Sequence, residues 1–228
     1  MSDATDVRHE VSAVRREVGG RRLKAGEARV VTISRVYPTT PEDLWDACTS
    51  IERIPRWFLP VSGELKVGGS YQLEGNANGT IERCDAPREF AATWEYGGEV
   101  SWIEVAVGAE GEHARLTIDH IAHVDDERWA MFGPGAVGLG WDLGLHGLAQ
   151  HLVSGASVDP QLAEAWSASP EGVAFLTAAS DDWCRPSVAA GTPEAEARPA
   201  ADRTTAFYTG SEPPAADRDA GVEPPAAG

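Results

Sequence analysis

The sequence predicts an α+β fold built from about seven antiparallel strands and a long helix that follows them. Three observations predict it. A β-branched run occupies residues 29–37, two-residue periodicity takes over across residues 62–122, and a helical apolar stripe runs from Trp141 to Leu152.

In chain order, Val7, Val11, Val14 and Val18 recur at i, i+4, i+7 and i+11, the spacing of a short amphipathic helix that Gly19-Gly20 would end. Val30, Val31, Thr32, Ile33 and Val36 write a first strand that stops at Pro38. Thr40-Pro41-Glu42-Asp43 places an N-cap, a proline at the first helical position and acids in the first turn, so a short helix should carry Leu44, Trp45 and Cys48 inward. Residues 51–58 read as a second short helical piece, limited by Pro55, that delivers Trp57, Phe58 and Leu59 as an apolar plug.

Turn residues at Gly68-Gly69, 76–79, 85–87, Gly97-Gly98 and 108–111 then divide residues 62–122 into about six strands of a meander. Alternation groups Tyr71/Leu73, Phe90/Ala92/Trp94/Tyr96, Ile103/Val105/Val107 and Leu116/Ile118/His120 on single strand faces. Gly133-Pro134-Gly135 opens the long helix, whose stripe is Trp141, Leu145, Leu148 and Leu152 and whose end is Gly155. Asp159-Pro160 caps a brief helix through Trp166, and Ser169-Pro170-Glu171 starts another carrying Val173, Phe175, Leu176 and Trp183. Thr192-Pro193-Glu194 caps a short one that Pro199 interrupts or kinks, with Phe207 and Tyr208 as anchors. The expected organisation is an extension with a short helix (1–28), the sheet-and-helix domain (29–155), a helical extension packed on it (156–210) and a disordered tail (211–228), whose Pro- and Ala-rich composition buries too little to offset its ordering entropy.

Nineteen basic and thirty-six acidic residues give a net charge of −17, which repels phosphate backbones and anionic headgroups and excludes nucleic acid and acidic membranes as partners. Residues 191–228 hold seven acids and three bases, so −13 of that charge lies in the rest of the chain. The three cysteines, Cys48, Cys84 and Cys184, are odd in number and widely spaced, which fits a reducing cytoplasm rather than a disulfide framework or a zinc site. The charged N-terminal segment lacks the apolar core of a signal peptide, and no run is long enough to span a membrane.

Five blocks sharpen the fold. Pro41-Glu42-Asp43-Leu44-Trp45-Asp46-Ala47, Arg56-Trp57-Phe58-Leu59-Pro60, Val67-Gly68-Gly69-Ser70-Tyr71, Gly79-Thr80-Ile81 and Ala92-Thr93-Trp94-Glu95 follow one another at spacings that resemble the Aha-type activator homologues, a branch of the SRPBCC, or START-like, superfamily. The resemblance spans roughly residues 29–154. It implies the helix-grip (Bet v-like) fold, in which a curved sheet wraps the last helix and leaves a cavity between them. The branch is named for a co-chaperone that stimulates the ATPase of heat shock protein 90, and the superfamily also hosts carriers and polyketide cyclases on the same scaffold.

If such a cavity exists, the expected walls are Trp45, Trp57, Phe58, Tyr71, Trp94, Tyr96, His120, Trp141 and Leu145, an apolar surface with a few hydroxyl and imidazole groups. His120 shares its strand face with Leu116 and Ile118. Its residue type supports proton transfer, but no orienting partner is identifiable, and a histidine satisfied by a backbone or Tyr partner is the favoured reading. Asp142, His146 and Gln150 lie in one row off the apolar stripe and read as solvated or rim-facing, not as a metal or catalytic set. His120 and His123 do not share a strand face. Gly133-Pro134-Gly135-Ala136-Val137-Gly138 matches the dinucleotide fingerprint, but neither a preceding strand nor a second βαβ unit accompanies it, so these glycines are expected to let the long helix start close against the sheet. No Walker loop, serine elbow or activated cysteine is recognisable, and no cofactor or metal is implied.

The favoured function is a non-catalytic domain that holds a small apolar or aromatic molecule between sheet and helix. A cyclase or aromatase-like enzyme using His120 with Tyr71 or Tyr96, and a co-chaperone or adaptor that presents its acidic surface to a protein partner, are the alternatives.

Overall fold

The computed structural model describes residues 4–211. Helix α1 (Ala4–Ser12) leads into strand β1 (Val14–Leu23), which turns back through β2 (Gly26–Tyr37). Helix α2 (Pro41–Thr49) and a 3-10 turn (Ile54–Arg56) come next, then strands β3 (Val61–Gly63), β4 (Ser70–Leu73), β5 (Asn78–Asp85), β6 (Glu89–Tyr96), β7 (Glu99–Glu110) and β8 (His113–Ala122). Five helices complete the chain: α3 (Asp126–Phe132), α4 (Gly135–Ser154), α5 (Pro160–Ser167), α6 (Pro170–Ala189) and α7 (Glu194–Thr209). The strands form one eight-stranded antiparallel sheet in the order β1-β2-β8-β7-β6-β5-β4-β3.

Local chemistry accounts for most element starts. The Thr40 hydroxyl accepts from the Asp43 amide at the head of α2, Asp125 caps α3, Asp159 caps α5 and Ser169 caps α6. Alternation decides the sheet faces: Val31, Ile33, Ile103, Val105, Val107, Leu116 and Ile118 turn to the concave side, where the main core forms with Leu44, Trp141, Leu145 and Leu148. A bulge in β5 between Ile81 and Arg83 bends that strand.

Several expectations need correction. The helix expected over Val7 to Val18 stops at Ser12, and Val14 and Val18 lie in β1, paired with Arg35 and Val31 of β2. A four-residue spacing fits a two-residue period as well as a helical one, and the free edge of β2 decides between them. This hairpin supplies the strand beyond the expected seven, and Gly19-Gly20 sit inside it. The helical piece over residues 51–58 shrinks to the 3-10 turn, and α3 was not foreseen. Helix α7 runs unbroken through Pro199. Its packing compensates the missing amide: the Thr204 hydroxyl donates to the Phe132 carbonyl, and Ala197, Ala200 and Ala201 are buried. The tail expected to be disordered lies, beyond Ser211, outside the described residues.

The extensions cover the side of α4 that faces away from the sheet. Val7 and Val11 of α1 pack with Leu139, Phe175, Leu176 and Ala179 in a second core. Among the described residues no helix is long and apolar enough to cross a membrane.

Candidate functional site

Sheet and helix do not fill the space between them. A cavity of about 330 Å³ remains, lined from α2, the 3-10 turn, strands β3 to β8 and α4. Six of the expected wall residues meet there: Trp45, Trp57, Phe58, Tyr71, Trp94 and Trp141. Trp45 sets its ring edge-on to Phe90 at 6.2 Å, and Phe58 stacks on Trp141 at 6.0 Å with planes 10° apart. The aliphatic floor of Ile81, Ala92, Ile103, Val105, Leu116 and Ile118 was legible as strand faces but was not assigned to a cavity.

Three of the polar groups on these walls are already engaged. The Trp57 indole donates to the Ala47 carbonyl at 2.9 Å, the Tyr71 hydroxyl to the Thr93 carbonyl at 2.7 Å and the Thr49 hydroxyl to the Trp45 carbonyl at 2.7 Å. Burial pushes the Cys48 thiol up to about 12 and raises the Tyr71 phenol, so both stay neutral at pH 7. The space therefore offers shape and apolar surface rather than reactive groups. Cys84 and Ala86 are the exposed part of the lining and mark its open corner.

The other three expected residues lie elsewhere. Leu145 is 1 % exposed within the core, lines neither this cavity nor the next, and its carbonyl accepts from the Tyr37 hydroxyl at 3.1 Å. Tyr96 and His120 line a second cavity of about 300 Å³. Trp94 borders both spaces, and a void of about 10 Å³ bounded by Phe58, Trp94, His120 and Trp141 lies at the partition. Aromatic side chains divide what the sheet curvature alone would leave as one hollow.

His120 holds that partition in place. The Trp141 indole, a donor only, bonds to His120 Nδ1 at 3.1 Å, so the ring proton sits on Nε2 and is donated to Ser101 Oγ at 2.9 Å. Ser101 passes its own proton to the Trp94 carbonyl at 3.1 Å. Burial lowers the His120 pKa to about 4, so the ring is neutral at pH 7. Ser101 is a polar side-chain partner that strand alternation alone did not identify, while Tyr71 lies in the other cavity. Both ring nitrogens are occupied, an arrangement suited to fixing Trp141 rather than to taking a proton from a substrate.

The row Asp142, His146 and Gln150 is not a solvated face. Asp142 is buried beneath the extensions, where Arg16 of β1 holds its two oxygens at 2.6 and 3.3 Å and the Trp183 indole donates to it at 2.9 Å. Burial raises its carboxyl while Arg16 and Trp183 pull it down, with a net shift upward. His146 stacks on Trp166 at 4.8 Å and approaches Glu10, whose carboxyl the His146 hydrogen bond and the Arg35 charge hold down at about 2 against the opposing effect of burial. Only Gln150 is exposed. The helix glycines do permit close approach, but to the C-terminal helices: a Cβ on Gly138 would lie 2.4 Å from the Trp183 ring, and one on Gly135 3.2 Å from Thr204. Among the described residues no group of three His, Cys, Asp or Glu side chains is placed to hold a metal ion.

Sheet, gripped helix and enclosed cavity define a helix-grip protein of the SRPBCC type. A model of the Activator of Hsp90 ATPase homolog 1-like proteins matches residues 38–153, and the chain belongs to that family. The matched stretch runs from α2 into the last turn of α4 and contains the first cavity whole. Among solved structures the chain is similar to CalU16 from Micromonospora echinospora: 28 % identity to the crystal structure, over 77 % of this chain and 99 % of that one, with a TM-score of 0.60. The solution structure of CalU16 gives 28 % identity, 78 % and 97 % coverage and a TM-score of 0.65. DynU16, from the dynemicin biosynthetic locus, shares the fold at 18 % identity over 56 % of this chain and 48 % of that one, with a TM-score of 0.50. No curated protein sequence matches.

Proposed function

We propose that this protein binds a small apolar or aromatic molecule in the first cavity and does so without chemistry of its own. The observation that carries the proposal is the cavity itself, about 330 Å³ walled by seven aromatic residues and an aliphatic floor, with the Trp57 indole and the Tyr71 hydroxyl already paired to backbone carbonyls. Such a surface rewards a guest by burial of apolar area, about 25 cal/mol per Å². Neutral His120, with both nitrogens engaged on the far side of Trp141, supports carriage over proton transfer. Three free thiols support a cytoplasmic setting for this work.

The test is titration with neutral one- to three-ring aromatic compounds, read by quenching of tryptophan fluorescence and by thermal shift. Ala92 is fully buried and points into the cavity from β6, so Ala92→Phe fills the space and abolishes binding while the fold persists. Binding unchanged in A92F, or no binding across the panel, would refute the proposal.

A further inference from the structure

We infer that the second cavity is a separate binding site for a planar aromatic carboxylate. It lies beyond the Trp94–Trp141–His120 partition and draws its walls from β2, β6, β7, β8, α3 and α4, so a molecule there does not share space with one in the first cavity. The inference does not rest on the function proposed for that first cavity.

The walls select a flat ring. Trp94, Tyr96 and Trp129 present aromatic surface to about 300 Å³ of space, enough for one or two fused rings. On the floor His120 donates to Ser101 and Ser101 donates to the Trp94 carbonyl, so neither side chain has a free proton to offer a ligand carboxylate. Polar recognition therefore falls to the rim.

Two arginines from different elements line that rim, and this feature distinguishes the second cavity from the first. Arg29 of β2 lies over the Trp129 ring at 4.4 Å and pairs with Asp126 at 2.7 Å, while Arg128 of α3 pairs with Glu99 at 2.6 Å. The carboxylate partners are surface groups: the Asp126 side chain is 95 % exposed and that of Glu99 69 %, against 34 % for each arginine. Ion pairs of this kind contribute little, because water already solvates the carboxylate. Exchanging one for a ligand carboxylate that the aromatic walls hold in place costs little and gains a charge-assisted, fork-shaped contact. The remaining acid on the lining, Asp125, is committed to the α3 cap, where it accepts from the Arg128 amide at 2.8 Å. His123 gives its Nδ1 proton to the Glu27 carbonyl at 2.9 Å.

The experiment compares 2-naphthoate with neutral 2-naphthamide, by calorimetry on the full chain at low salt. Expected is at least tenfold tighter binding of the naphthoate, reduced about tenfold in Arg128→Gln with naphthamide affinity unchanged within twofold. Arg29→Gln should act in the same direction, and R128Q, which leaves the ring contact with Trp129 intact, serves if R29Q lowers stability. Ala122→Phe, on the face of β8 that lines this cavity, should abolish naphthoate binding, whereas A92F should leave it unchanged. Equal affinities for the two probes, no effect of R128Q, or naphthoate binding lost in A92F but kept in A122F would each overturn the inference. The last result would assign the probe to the first cavity.

Discussion

Replacing Arg16 by methionine leaves the Asp142 carboxylate without its counter-ion where water cannot reach it. The two side chains are 3 % and 0 % exposed, and Arg16 also donates to the carbonyls of Val11 and Val14, so the change releases α1 and β1 from α4 together. Breaking a buried pair from one side costs about 3–5 kcal/mol. The Trp183 indole still donates to Asp142, which places the expected loss near the lower end, at about 3 kcal/mol. For a chain of this size that corresponds to a fall in Tm of roughly 6–12 °C. The loss depends on pH with a definite sign. Burial already holds the folded Asp142 carboxyl above its unfolded value, and loss of Arg16 raises it further, so R16M is least impaired at low pH, where both states bind the proton, and loses stability as pH rises above the ordinary carboxylate range. Thermal and urea unfolding followed by tryptophan fluorescence between pH 4 and 8 measure this. The double variant R16M/D142N, which keeps an acceptor for Trp183, should recover at least half of the loss. An R16M protein as stable as the wild type at pH 8, or a double variant no more stable than R16M, would refute the reasoning.

Gly138→Ala forces a methyl group against the Trp183 ring and should cost about 1–3 kcal/mol in urea unfolding while leaving binding in the first cavity intact. His120, at about 4 when folded, should stay neutral by NMR through pH 6, and stability should decline as pH falls from roughly 6.5 toward 4, a decline that His120→Asn flattens. Phe207→Ala removes a half-buried ring set edge-on to Phe132 at 6.5 Å and should lower stability by about 1–2 kcal/mol, read as a lower Tm, because it loosens the anchor of α7.

The elements visible in the sequence were those whose signals are local. Caps at Thr40, Asp159 and Ser169 need only their own following amides, and the strand faces of the meander need only alternation. Elements decided by distant partners were misread or missed: β1 is a strand because β2 offers an edge, and α7 survives Pro199 because α3 and α6 pack against it. The site divides in the same way. Six wall residues could be named because large aromatics stand out, yet the split into two cavities depends on how the rings of Trp94 and Trp141 lean together at 5.2 Å, which no spacing encodes. Asp142 looked solvated because it lies off the apolar stripe of α4. The sequence carried a signal in Arg16, a lone cation between Val14 and Val18 on the inward face of β1, but only once that segment is known to be a strand.

Because α4 is packed against the sheet on one side and against α1, α6 and α7 on the other, it cannot swing aside to admit a guest. Traffic into the first cavity then passes the opposite wall, at the exposed corner of Cys84 and Ala86. Residence time is then governed by the opening of that corner, and amides in α4 should exchange with solvent far more slowly than those of the 3-10 turn whether or not the cavity is filled. A molecule held here would leave slowly or quickly according to a handful of loop residues, while the helix that gives the fold its grip serves as a fixed backstop.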